Sequence, residues 1–135
     1  MEIHVSPDQI WFYALGTPIA ECRSRLATGG ADISPPLHDG TYDGMYVELF
    51  NARWLASITF KNGKIHRQTL LVTTTDRRDF RKIYAEVKKE FGAGVRKGLF
   101  KPTAYIWDYT TAQLILALKD AGPLTGIYLI LTGKG

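Results

Sequence analysis

The stretch from Thr74 to Gly92, TTDRRDFRKIYAEVKKEFG, constrains the fold more than any other. Phe80, Ile83, Tyr84, Val87 and Phe91 recur at i, i+3, i+4, i+7 and i+11, the spacing of one apolar helix face. Thr75 or Asp76 can cap its start, and Asp79 adds a carboxylate to the first turn. Lys88 and Lys89 stand near its end, and Gly92 suits the left-handed position that stops a helix. The spacing predicts an amphipathic helix over residues 75–91.

On either side of this helix the pattern is that of strands. Met45 to Phe50 (MYVELF) reads as a strand, with a turn at Asn51-Ala52-Arg53. In the next run Trp54, Ala56, Ile58 and Phe60 alternate with Leu55, Ser57 and Thr59, so the two sets face opposite ways. Asn62-Gly63 between apolar runs is a strong hairpin signal, and IHRQTLLVTT follows as the third strand. Beyond the helix, GAGVRKGLFKP reads as a glycine-rich basic loop. Strands are then predicted at Ala104–Tyr109, Gln113–Leu118 and Ile127–Leu131.

Upstream, Ile10 to Leu15 reads as a strand or extended lead-in. Thr17 and Pro18 suit the start of a short first helix, with Ile19, Cys22 and Leu26 on one side and Gly29-Gly30 at its end. Residues 31–44, with Pro35-Pro36 and Gly40, read as a long loop. The expected architecture is one two-layer α+β domain over residues 1–135. It has an antiparallel meander sheet of about six strands and two helices in the order α-β-β-β-α-β-β-β.

This order is similar to that of small bacterial α+β domains, the β-lactamase-inhibitor-protein-like and outer-membrane-assembly lipoprotein domains. The resembling residues are Leu15-Gly16-Thr17-Pro18 opening a short helix, Ile58-Thr59-Phe60 before an Asn-Gly hairpin, Glu90-Phe91-Gly92 ending a helix, and Trp107 in the next strand. The resemblance implies a non-catalytic binding or inhibitory module that meets a protein with its sheet face and loops. The chain shows neither the lipid-attachment cysteine nor the paired cysteines of some of those domains.

Net charge is +4, and its placement is uneven. Residues 76–101 hold nine Lys or Arg against four Asp or Glu, a local +5, and the remainder carries −1. At about 100° per residue from Phe80, Arg77, Arg78, Arg81, Lys82, Lys88 and Lys89 form one flank of the helix. Asp79, Glu86 and Glu90 form the other. With Arg96 and Lys97 the basic flank is a candidate site for an anion or nucleic acid; the same pattern also fits a solvated helix face.

Tyr105, Trp107 and Tyr109 alternate in one strand and share a sheet face, where exposed aromatics would serve as protein-binding anchors or stack on nucleic-acid bases. Together with loop 31–44 they are the expected binding surface. Packing beneath a helix is the alternative for the same three rings.

Other chemistry is thinly represented. Gly92 to Gly98 follows a helix and precedes a strand, the reverse of a nucleotide loop, and lacks G-x-x-x-x-G-K-[ST]. His4, His38 and His66 make no ligand spacing, and Asp39–Gly44 departs from a calcium loop, so no metal is expected. Cys22 is the single cysteine, on the apolar side of the first helix, where an inert buried thiol is expected. No catalytic motif and no cofactor signature occur, so the reading leans away from an enzyme, with a small-ligand pocket or enzyme kept as a further alternative. No apolar run approaches the roughly 20 residues of a membrane helix. MEIHVSPDQIW lacks a basic region followed by an apolar core. A cytoplasmic setting is expected for the sequence as given, and a periplasmic one if a leader precedes it.

Overall fold

The computed structural model describes residues 14–28, 38–74, 76–98, 103–121 and 124–134. The amphipathic stretch forms helix α2, Arg78–Phe91, with Phe80, Ile83 and Val87 buried. Burying three such side chains contributes about 1.5–3 kcal/mol each. Asp76 performs the capping, accepting from the Arg78 N–H at 2.9 Å. Gly92 ends the helix at φ 81°, its N–H donating to the Lys88 carbonyl at 2.9 Å.

Seven strands, all paired antiparallel, make the surface beneath it: β1 (Gly40–Leu49), β2 (Ala52–Lys61), β3 (Lys64–Thr74), β4 (Val95–Lys97), β5 (Ala104–Asp108), β6 (Ala112–Ala121) and β7 (Leu124–Gly133). The sheet order is β1-β2-β3-β7-β6-β5-β4. Two meanders, β1–β3 and β4–β7, are thus fused along β3 and β7, with α2 as the connection between them.

Register shows which side is the core. Met45, Ala56, Leu70, Leu129, Leu116 and Tyr105 form one cross-strand row. Ile58, Gln68, Leu131, Leu114 and Trp107 form the next. Among the described residues every buried side chain of the sheet lies on this face. Cys22 and Leu26 join the same core, as do the buried residues of α2, so both helices lie on one side.

Four expectations change. The glycine-rich basic loop contains a short strand, β4, because Val95, Arg96 and Lys97 pair with Ile106, Tyr105 and Ala104 at the sheet edge. Among the described residues the strand count is therefore seven, against the expected six or so. The first helix is broken into a 3-10 turn, Ile19–Glu21, and α1, Arg23–Thr28. Pro18 is extended at ψ 144° and bridges Lys64, and the Ile19 N–H donates to the Gly63 carbonyl at 2.8 Å, so the sheet takes the residues that would have begun a helix. Finally, β1 begins at Gly40, inside the expected loop 31–44; positions 31–37 of that loop and 10–13 of the first run lie outside the described residues.

The β1–β2 turn falls at Phe50-Asn51, one residue earlier than expected, with φ of 52° and 58°. The β2–β3 turn at Asn62-Gly63 has φ of 55° and 72°. Both match the two-residue turn whose twist suits a hairpin. Asn-Gly adopts it readily, whereas Phe50 is a bulky residue in the left-handed region, a conformation that costs about 1–3 kcal/mol. The Phe50 ring packs near Phe91, with centroids 6.1 Å apart, and that contact offsets part of the cost.

Candidate functional site

Two of the rings expected on an open face, Tyr105 and Trp107, lie under α2. Tyr84 stacks on Tyr105 with centroids 3.5 Å apart and planes within 6°. Phe80 lies 5.8 Å from Tyr105, and Tyr84 lies 6.1 Å from Trp107. Trp107 is 5% exposed, and its indole Nε1–H donates to the Gly92 carbonyl at 2.9 Å. A Cβ at Gly94 would sit 2.9 Å from that indole, so glycine is what lets the chain pass over the ring. Tyr109 is half-buried beyond β5, and burial raises its phenol pKa. Placement of Tyr105, Trp107 and Tyr109 on the exposed surface is thereby corrected: Tyr105 and Trp107 face the side that the helix covers, and Tyr109 packs against the core.

The opposite face carries two other ladders. One runs Tyr46, Leu55, Leu71, Tyr128, Ala117 and Ala104 across six strands. The other runs Ser57, Thr69, Ile130, Ile115, Ile106 and Val95. Tyr46, Leu55 and Val95 are 62%, 38% and 61% exposed, and the central members are half-exposed. A third, polar ladder borders them: Thr41, Thr59, Arg67, Thr132, Gln113 and Asp108. Its hydroxyls are joined, Thr41 to Thr59 at 2.9 Å, and Arg67 Nε donates to Thr132 at 3.2 Å. At the far side Arg53 lies 4.7 Å over the Tyr46 ring. Among the described residues no helix crosses this face.

A shift in register between Tyr42 and Met45 bulges β1. The bulge places Asp43 beside Leu55, Leu71 and Tyr128, around a shallow depression of about 250 Å³. The end of the expected binding loop therefore does reach the open face, although as strand.

The basic flank of α2 is divided by its neighbours. Arg78 pairs with Asp76 at 3.0 Å and Lys89 with Glu86 at 3.0 Å, both at the surface. The Arg78 guanidinium holds the Asp76 carboxyl below its ordinary range. Lys82 joins Asp79, Glu86, Ile83 and Phe50 around a cleft of about 460 Å³ between α2 and the β1–β2 turn. Arg77, Arg81 and Lys88 are exposed. On β4, Arg96 pairs with Tyr105 and so lies on the helix side, whereas Lys97 pairs with Ala104 and faces the open side. The eight residues thus do not form one continuous stripe. Among the described residues no group of His, Cys, Asp or Glu is placed to hold a metal ion.

Sequence reading passed over one cluster. Lys61, Lys64, His66 and Lys134 line a cleft of about 580 Å³ with Leu15, Gly16, Thr110 and Thr111. Partial burial, then the charges of Lys61 and Arg67, hold the His66 pKa below its ordinary value of 6.5. Between the folded pKa and 6.5 the unfolded chain binds a proton that the folded chain does not. His66 therefore contributes stability above 6.5 that is lost as pH falls below it. Thermal unfolding of the protein and of His66→Gln from pH 7.5 to 5 should show the shallower decline in the variant. Parallel curves would remove His66 from the account.

The described residues define an α+β protein: an antiparallel sheet with two helices on one face and an uncovered apolar surface on the other. Comparison with known protein families, with curated proteins and with solved structures finds no match. None of the described helices is long and apolar enough to cross a membrane.

Proposed function

We propose that this chain is a non-enzymatic protein-binding module, of inhibitor, immunity or assembly-accessory type, and that its partner sits on the helix-free sheet face. The ladder from Tyr46 to Ala104, with the apolar members Ile130, Ile115, Ile106 and Val95 of the second, carries this reading. At about 4.8 Å per strand the sheet is roughly 29 Å wide, and so it has room for the roughly 800 Å² that each partner contributes to a stable interface. Apolar side chains in register across six strands, with a polar ladder along one border, match the core and rim of such an interface. Leu55, Leu71, Tyr128, Ile130, Ile115 and Ile106 take the anchoring part first expected of Tyr105, Trp107 and Tyr109. The resemblance to small bacterial inhibitor and assembly domains points the same way.

The test is capture of a partner from extracts of the source cell by the native protein, by Leu55→Lys/Ile115→Lys and by Lys88→Glu/Lys89→Glu. A protein retained at high salt is expected, with retention lowered at least tenfold, about 1.4 kcal/mol, by the sheet-face variant alone. Both sheet-face substitutions are at partly exposed positions, so melting temperature should move little. Retention that survives Leu55→Lys/Ile115→Lys would sink the reading. Binding of DNA or RNA that fades steeply with salt and fails in Lys88→Glu/Lys89→Glu would instead establish the basic flank as the site.

A further inference from the structure

The cleft at the β2–β3 turn shares no lining residue with the two ladders of the helix-free face. Lys61 and Lys64 flank the turn, Thr110 and Thr111 form the opposite wall, and Lys134 enters from the end of β7. Ile65, Ala112 and Gly133 are among its lining residues, and Leu15-Gly16 passes beside it. The volume, about 580 Å³, falls within the range of small-molecule sites.

Its charge is one-sided. Among the described residues no carboxylate lines it, and neither Lys61 nor Lys64 makes an ion pair. Lys134 is held in place by Asp108, outside the lining, and by the Tyr109 carbonyl at 2.6 Å. At the turn itself Asp39 accepts the N–H groups of Asn62 and Gly63 at 2.7 and 2.8 Å. Those turn donors are therefore occupied, and an incoming anion would be met by side chains. His66 sits between the walls, with Nδ1 3.8 Å from the place of a Cβ on Gly133. It faces Lys61 on β2, Arg67 on its own strand β3, and the cleft shared with Lys64 and Lys134.

We propose that this cleft binds a small phosphate-bearing anion, with Lys61, Lys64 and Lys134 supplying charge and His66, Thr110 and Thr111 supplying hydrogen bonds. Lys61 and Lys64 bring two ammonium groups to one space, with Lys134 beside them held by Asp108, and a dianion meets those charges better than a single carboxylate does. Lysines act here as point charges and do not demand the flat geometry that arginine reads. The His66 pKa is lowered first by burial and then by Lys61, so the imidazole already senses one of the cations that would hold the ligand.

The experiment follows the His66 imidazole by NMR while inorganic phosphate, glycerol phosphate or chloride is added at matched ionic strength. A saturable shift with phosphate or glycerol phosphate, absent with chloride, is expected. The bound anion should raise the His66 pKa by about one unit. Lys61→Gln/Lys64→Gln should weaken binding at least tenfold, and both lysines are exposed, so the fold should persist. Lys88→Gln/Lys89→Gln should change nothing. Tighter binding of glycerol phosphate supports the site and assigns a phosphorylated small molecule; tighter binding of inorganic phosphate supports it and assigns the free ion. A response matched by chloride overturns the proposal. So does affinity that survives Lys61→Gln/Lys64→Gln, or that disappears with Lys88→Gln/Lys89→Gln. None of these outcomes depends on the sheet-face partner.

Discussion

Replacing Trp107 with alanine is expected to destabilise the fold by about 3–5 kcal/mol, the usual loss for a large buried ring. The indole is 5% exposed, lies beside Tyr84, and receives Gly94 directly over its surface. It also satisfies the carbonyl of Gly92, where α2 ends. Removing the ring leaves a cavity beneath α2 and a helix-end carbonyl without its donor. Trp107→Phe separates the two effects, since it keeps most of the ring and loses the N–H, for an expected cost of about 1–3 kcal/mol. Urea unfolding would measure both. A loss below about 1 kcal/mol for Trp107→Ala would mean that the ring carries little packing, and the exposed-anchor assignment of this strand would stand again.

Trp54→Ala should cost a similar amount, about 3–5 kcal/mol, at the other end of the sheet. Trp54 is fully buried, and its Nε1–H donates to the Leu49 carbonyl at 2.7 Å, tying β2 to the end of β1. Val47 stands opposite it on β1, and Val72, Ile127 and Leu118 form a row across β3, β7 and β6. A total of about 6–10 kcal/mol would exhaust the stability of an ordinary domain, so Trp54→Ala/Trp107→Ala should not fold. The milder pair, Trp54→Phe/Trp107→Phe, is the informative one. Four strand spacings, about 19 Å, separate β2 from β5, and the two losses should add within about 0.5 kcal/mol. A larger coupling would show that the two ends of the sheet respond as one rigid body.

Legibility in the sequence followed the range of the interactions responsible. Helix α2 and the Asn62-Gly63 hairpin were readable because period and turn chemistry are local. The face of β5 was not. Tyr105 and Trp107 alternate with Ala104 and Ile106, so both sides of the strand are apolar and periodicity offers no preference. Pairing settles it: Trp107 stands opposite Leu114, and Ile106 opposite Ile115. The break after Pro18 comes from contacts with Gly63 and Lys64, more than forty residues away. The turn at Phe50-Asn51 goes against the local preference of phenylalanine, and its compensating partner, Phe91, is equally distant in the chain. Lys61-Asn62-Gly63-Lys64 is visible as a basic turn, but only the pairing of β3 with β7 brings the C-terminal Lys134 toward His66.

The bulge in β1 has a meaning beyond the depression it forms. Antiparallel sheets with free margins can recruit further strands from other molecules, and that is a common route to fibrils. Among the described residues the margins here are β1 and β4. β4 offers only three residues, two of them the cations Arg96 and Lys97. β1 is ten residues long and would be the more hazardous template, yet its ladder is interrupted between Tyr42 and Met45, with Asp43 and Gly44 in the gap. A straight incoming strand could follow neither margin for its full length. The chain can thus leave a broad apolar surface open for association while its two margins resist uncontrolled polymer growth.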